Sequence, residues 1–176
     1  CMSLKKISIP SSVTQIGVYA FGVCSELTEV TFESPSSLSI IRDDAFHSCA
    51  SLLKISIPLN VIYIGDSCFT SCSKLSEVSF DCLSLKSIEN NSFNNCTSLK
   101  QIVIPPSVKS IGDGAFYNCS SLTEVAIPNS VSRIGDNIFG ECTSLLQVSI
   151  DYSLFPKIAN LFDGCDSLQN IIINHS

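Results

Sequence analysis

Tryptophan is absent from this 176-residue chain, methionine occurs once and histidine twice, and only 10 Lys and Arg stand against 16 Asp and Glu. A formal net charge of -6 leaves no basic surface to neutralise phosphates or anionic lipid heads, which excludes nucleic acid as a partner. The two histidines, His47 and His175, lie too many residues apart to cooperate, so the convergent acid, base and nucleophile of an active site are missing. No enzyme activity and no cofactor are expected. No apolar run approaches the ~18 residues needed to cross a bilayer, which excludes membrane insertion within this segment. The opening "CMSLKKISIP" also lacks the charged-then-apolar order of a signal peptide. What the chain does have is apolar bulk: 45% of residues are hydrophobic and 15% charged, a globular balance able to bury a substantial core.

It also has 10 cysteines, which would ordinarily suggest a disulfide framework or a metal site. Eight of them fall at Cys1, Cys24, Cys49, Cys72, Cys96, Cys119, Cys142 and Cys165, at intervals of 23, 25, 23, 24, 23, 23 and 23 residues. No CxxC pair or Cys-His set has zinc spacing. A fixed period of this length marks a stacked repeat, and the cysteine column marks its boundary. The chain divides into seven units (1–23, 24–48, 49–71, 72–95, 96–118, 119–141 and 142–164) and a partial eighth, 165–176, forming one domain that is expected to be a fragment of a longer chain.

Within each unit the first half alternates apolar and polar residues with period 2, the pattern of a short strand of about four residues. Its inward positions include Ile7 and Ile9, Val30 and Phe32, Ile55 and Ile57, and Ile102 and Ile104. Pro10, Pro58, Pro105 and Pro128 follow directly, where a residue without an N–H ends ladder pairing. Gly17, Gly65, Gly112 and Gly135 then indicate a tight corner, and the next Asp or Asn is placed to cap a single helical turn. A Phe closes the turn at positions 21, 46, 69, 93, 116, 139 and 162. One unit cannot bury its own Leu, Ile, Phe and Cys. Stacked units supply each other's apolar walls, and the cysteines read as packing rather than redox chemistry. Cys82, outside the column and in a turn, is expected to be the exposed thiol.

"LKQIVIPPSVKSIGDGAFYNC" and "LTEVAIPNSVSRIGDNIFGEC" resemble the 23-residue repeats of BspA-type leucine-rich-repeat proteins, with the pattern "IPxSVxxIGxxAFxxC", and the resemblance covers residues 1–176. The second unit departs from it with two extra residues and Arg42 at the Gly place. The fourth has one extra residue and Glu89 there, and the seventh, "DYSLFPKIANLF", loses the pattern. Local bulges are expected at these corners. The resemblance implies a leucine-rich-repeat solenoid: a right-handed superhelix with short parallel strands on one face and turns and single helical turns on the other. It further implies a non-enzymatic binding module of an extracellular or cell-surface adhesin, taking a protein or extracellular-matrix ligand. An intracellular protein-protein scaffold of the same fold is the alternative.

The outward strand column Lys6, Glu29, Lys54, Glu77, Gln101, Glu124 and Gln147 is the candidate partner-binding inner face. Alternating charges among its first members also serve neighbouring strands. Off-pattern residues at Ser34–Ser37, Asp81–Cys82 and Tyr152–Lys157 are further surface candidates, because packing does not account for them. Four N-x-S/T sequons, at Asn90, Asn95, Asn118 and Asn174, are candidate glycosylation sites if the chain is secreted through a eukaryotic pathway. End-to-end self-association through uncapped outer coils is also expected.

Overall fold

The structure, a computed structural model, describes residues 1–174 and their side chains, apart from the side chains of residues 155 and 157–159. Each unit forms one coil, and coils one to four and six place a strand on one face and a shorter strand around the corner. Coil one contributes β1 (Lys6–Ile9) and β2 (Gln15–Ile16), coil two β3 (Glu29–Phe32) and β4 (Ile40–Ile41), and coil three β5 (Lys54–Ile57) and β6 (Tyr63–Ile64). Coil four holds β7 (Glu77–Phe80) and β8 (Ser87–Ile88), and coil five only β9 (Ser110–Ile111). Coil six holds β10 (Glu124–Ala126) and β11 (Arg133–Ile134), coil seven β12 (Gln147–Asp151) and the last coil β13 (Asn170–Asn174).

All pairing is parallel and in register, with Lys6 opposite Glu29 and Lys54 opposite Glu77. The strand face falls into two sheets, β1-β3-β5-β7 and β10-β12-β13. Between them, Gln101 makes an isolated parallel bridge to Glu124. The short strands form β2-β4-β6 and β11-β9-β8 on a second face. The solenoid is thus parallel-stranded with very little helix.

Phe46, Phe69, Phe93, Phe116 and Phe139 are fully buried and stack in register. Their ring centroids are 5.3–5.6 Å apart and their planes within 2–7° of parallel. Phe21 and Phe162 continue the stack but are half-buried, because each has an aromatic neighbour on one side only. The expected helical turns before these Phe residues do not form. In coils one to six two residues each adopt left-handed backbone instead, Asp44 and Ser48 in coil two and Asn91 and Asn95 in coil four, and such residues interrupt a right-handed helix. The turns bond between coils: Ser67 N–H donates to Asn90 O at 2.9 Å, Phe69 N–H to Ser92 O at 2.8 Å and Ser71 N–H to Asn94 O at 2.8 Å. The Phe side is therefore a hydrogen-bonded ladder made of turns. The helix among the described residues is the 3-10 segment Tyr152–Asn160, in the off-pattern seventh unit.

The Asp/Asn column likewise acts across coils rather than as caps within them. Asp43, Asp66, Asn90 and Asp113 accept, through Oδ1, the backbone N–H of Asp66, Asn90, Asp113 and Asp136 at 2.9–3.1 Å. This fixes what the glycines do. A Cβ built on Gly112 would lie 2.6 Å from both Asn90 N and Asn90 Oδ1, and one on Gly135 would lie 2.6 Å from Asp113 N, whereas one on Gly17 would meet nothing within 4 Å. At Gly112 and Gly135 the preceding coil thus approaches too closely for a Cβ, whereas Glu89 is accommodated at the same place in coil four.

The column cysteines have a polar role besides packing. The thiols of Cys72, Cys96, Cys119 and Cys142 each donate to the carbonyl of the Phe two units back, Phe46, Phe69, Phe93 and Phe116, at 3.2–3.3 Å. These carbonyls already accept the Cys N–H of their own turn, as Phe46 O does from Cys49 N. Cysteine suits the position because it is small and apolar yet able to occupy the second lone pair. Burial pushes the Cys49 and Cys142 thiols up to about 12. Cys82 is buried as well, at 1% exposed, contrary to its expected exposure. The extra residue between Phe80 and Leu85 turns the thiol into the core and leaves Leu83 outside, 72% exposed.

Candidate functional site

Period-2 alternation places every second strand residue outward, and the structure keeps that division best in the middle strands and loses it in β13, where Ile171 and Ile172 are both exposed. In β5, Ile55 and Ile57 are buried while Lys54 and Ser56 are exposed. At one end of this face Lys6 Nζ lies 2.7 Å from Glu29 Oε2. That hydrogen bond, with the charge behind it, raises the Lys6 ammonium and lowers the Glu29 carboxyl, which Lys54 lowers further. The second outward column carries hydroxyls, with Ser79 Oγ bonded to Ser56 Oγ at 2.8 Å. In coil five the column changes character, and Val103 is 78% exposed.

The candidate column does not form one continuous site. Glu29, Lys54 and Glu77 share a groove of about 520 Å³ with Phe32, Leu59 and Asp81. Gln101, Glu124 and Gln147 line a second groove, about 410 Å³, with Val103 and Ala126. Lys6 lines neither. The two grooves sit on either side of the place where the strand ladder changes sheets.

The larger groove owes its wall to a feature that repeat periodicity does not describe. The two extra residues of coil two are absorbed between β3 and β4 as the segment Glu33–Ser37. Ser34 and Pro35 stand exposed there and, with Ser36, line the groove. The corner that follows keeps its register despite Arg42, whose N–H donates to Ile16 O at 3.0 Å and whose Nη2 donates to Gln15 Oε1 at 3.2 Å. The bulge thus precedes the corner. The odd spacing of coil two was the signal for this wall, but spacing does not say over which face the excess chain leans.

Three of the four sequons lie in the turns, and Asn174 ends β13. Asn90 is exposed, with its Oδ1 bonded to the Asp113 N–H. Asn95 and Asn118 are half-buried left-handed residues, and the Asn118 Nδ2 donates to Asn95 Oδ1 at 2.6 Å. Asn174 donates from Nδ2 to Ser149 Oγ at 2.7 Å, but the rest of its sequon and His175 lie outside the described residues. His47 stands on the turn side, its Nδ1 3.3 Å from Asp44 Oδ1 and its ring 6.1 Å from that of Tyr19. Among the described residues, no three His, Cys, Asp or Glu side chains converge as for a metal ion. No helix among them is long and apolar enough to cross a membrane.

No curated protein sequence matches the chain. Solved structures do. The T. pallidum leucine-rich-repeat protein superposes with a TM-score of 0.71 at 27% identity, over 98% of this chain and 76% of its own. A leucine-rich-repeat protein from Bacteroides ovatus gives a TM-score of 0.47 at 26% identity, covering 99% of this chain and 62% of that one. A leucine-rich cell surface protein from Faecalibacterium prausnitzii gives 0.47 at 23%, covering 98% and 60%. The family model of the BspA type leucine rich repeat region matches residues 1–84 and 79–176, in 6 copies. Those two stretches together take in every residue, and the chain belongs to the BspA-type leucine-rich-repeat family.

Proposed function

We propose that the chain is a protein-binding segment of a BspA-like surface protein, exposed outside the cell and contributing to adhesion to host matrix or to other cells. Leucine-rich-repeat solenoids are in general non-enzymatic binding scaffolds, and this chain has their architecture. One observation carries the choice of surface: in β5 and β10 the outward strand residues are exposed and the core does not need them, whereas the inward ones are buried. Side chains there are free to answer to a partner.

The test replaces Glu77, Gln101 and Glu124 together with Ala. Exposed substitutions cost under about 0.5 kcal/mol each, so the melting temperature should stay within about 5 °C while binding to a verified partner falls. Ile102→Ala should lower stability and binding together, because Ile102 is 5% exposed and a buried Ile→Ala change costs about 2–5 kcal/mol. Undiminished binding by the triple variant would move the contact surface off the strand face.

The free thiols favour a second reading, an intracellular scaffold of the same fold, since reducing compartments preserve thiols. A full-length reading frame with a leader peptide or membrane anchor rules this out.

A further inference from the structure

The geometry points to the larger groove as the docking site of an extended peptide segment that alternates basic and apolar side chains. This rests on the strand-face reading above and narrows it to one end of that face and one partner chemistry.

The floor of the groove is β3, β5 and β7. β3 is bonded on both sides, to β1 and β5, and β5 to β3 and β7, so the middle of the floor offers no open edge to an added strand. It must lie across the outward side chains and be recognised by them. At an interstrand spacing of ~4.8 Å, three strands give a floor roughly 10–15 Å across, room for about four extended residues at ~3.3 Å each. A guest of this size fits a space of about 520 Å³.

The chemistry of the lining selects the guest. Four carboxylates, Glu29, Glu33, Glu77 and Asp81, face the single ammonium of Lys54. Glu29 is shared with Lys6, and Glu33 Oε2 accepts the Ser11 N–H at 3.1 Å, so Glu77 and Asp81, both exposed, have most to offer an incoming cation. Between these charges lie apolar surfaces: Leu59 is 56% exposed, Pro35 is exposed in the neighbouring segment, and Phe32 is only partly covered. Carboxylates held against apolar walls focus their field into the groove and raise the local concentration of a cationic ligand. Exposed Leu and Pro side chains give an apolar residue of the same ligand a place to lose water. The second groove lacks this pairing, since Glu124 is its one ionisable lining residue.

The experiment uses the whole 176-residue chain and fluorescence anisotropy. The probes are a labelled synthetic hexapeptide alternating Lys and Leu and its counterpart with Glu for Lys. The Lys peptide should bind at least about tenfold more tightly, and its affinity should fall as salt rises from about 0.05 to about 0.5 M. Glu77→Lys with Asp81→Lys should weaken it about tenfold and Leu59→Ser several-fold, while Glu141→Lys, exposed in a turn outside both grooves, should stay within about twofold. Urea melts of each variant confirm that it is folded. Equal binding of the Lys and Glu peptides, or an equal loss from Glu141→Lys, overturns the assignment by showing that net charge alone is at work. The same variants separate this site from the wider reading. A verified protein partner that still binds the Glu77→Lys/Asp81→Lys chain but loses the Gln101→Ala/Glu124→Ala chain overturns the peptide groove and leaves the strand face standing. A partner indifferent to both pairs overturns both.

Discussion

Gly17 and Gly135 occupy the same place in the repeat, yet Ala should act on them in opposite directions. A Cβ at Gly17 meets nothing within 4 Å, and its φ is not in the left-handed range. Gly17→Ala therefore acts mainly on the unfolded chain and should stabilise by about 0.4–1 kcal/mol. At Gly135 the new carbon would overlap Asp113 Oδ1 and would lie 2.6 Å from Asp113 N and 2.8 Å from Gly112 C. Two of these atoms are backbone and cannot rotate away. Forcing a methyl into such a contact costs about 1–3 kcal/mol. Coils pushed apart there also strain the Asp136 N–H to Asp113 Oδ1 bond, 2.9 Å, a bond to a charged acceptor worth about 1.5–3 kcal/mol. Offset by the same unfolded-state gain, the net loss should be about 2–4 kcal/mol. Urea unfolding followed by circular dichroism measures both variants, and native-state hydrogen exchange at the Asp136 amide locates the damage. Asp113→Ala with Gly135→Ala should recover only part of the loss, because the backbone overlap remains. If the two glycines respond alike, within about 0.5 kcal/mol, the close approach of neighbouring coils is wrong.

Three further outcomes are expected. Phe116→Ala removes a fully buried ring stacked at 5.5 and 5.6 Å on its two neighbours and should cost about 3–5 kcal/mol, against clearly less for the half-buried Phe21; equal losses in denaturant melts would contradict the stack. Val23 holds a left-handed φ of 58° with a β-branched side chain, so Val23→Asn should stabilise by about 1 kcal/mol, and a lower urea midpoint would show that Val23 packing outweighs its backbone strain. The folded Cys49 and Cys142 thiols titrate near 12, raised from 9.0 chiefly by burial. The unfolded thiols therefore ionise first, and stability should be level below about pH 9 and fall between there and about 12. Cys142→Ala should lessen that fall by its own share only, because burial raises the Cys68, Cys72, Cys96 and Cys119 thiols as well, and the buried column thiols should resist alkylation until the chain unfolds.

The architecture was legible in the sequence because stacking makes each unit's environment the same. A residue that must be buried in one coil must be buried in all, so the 23-residue period, the alternation in Ile55–Ile57 and the Phe column amount to repeated measurements of one local requirement. Burial of the column cysteines followed from the same regularity. The left-handed turns were written there only in part, in Asp44, Asn91, Gly114 and Asn137 two places before a Phe and in Asn95 and Asn118 before a Cys, since these residue types tolerate positive φ; Tyr19, Val23 and Glu141 hold the same backbone without that signal. The single-turn expectation missed them because an Asp ahead of an apolar residue is equally the signal of a helix cap.

Other features depended on contacts between coils, and no single coil encodes them. Whether an Asp side chain bonds its own turn or the next one is decided by which N–H lies about 3 Å away, and stacking brings the next coil's within reach. That choice turns Gly135 from a flexible corner into a point of contact. The inward turn of Cys82 and the lean of Ser34 and Pro35 over β3 and β5 likewise arise where the period is broken, and there the repeat offers no second copy to read. The sequence by itself therefore determined the stack, its core and its outward face, whose local pattern recurs in every coil. The tertiary structure alone decided that this face divides into two grooves and that the larger one gathers carboxylates and apolar walls, since residues from Glu29 to Asp81 meet only when three unequal coils are laid side by side.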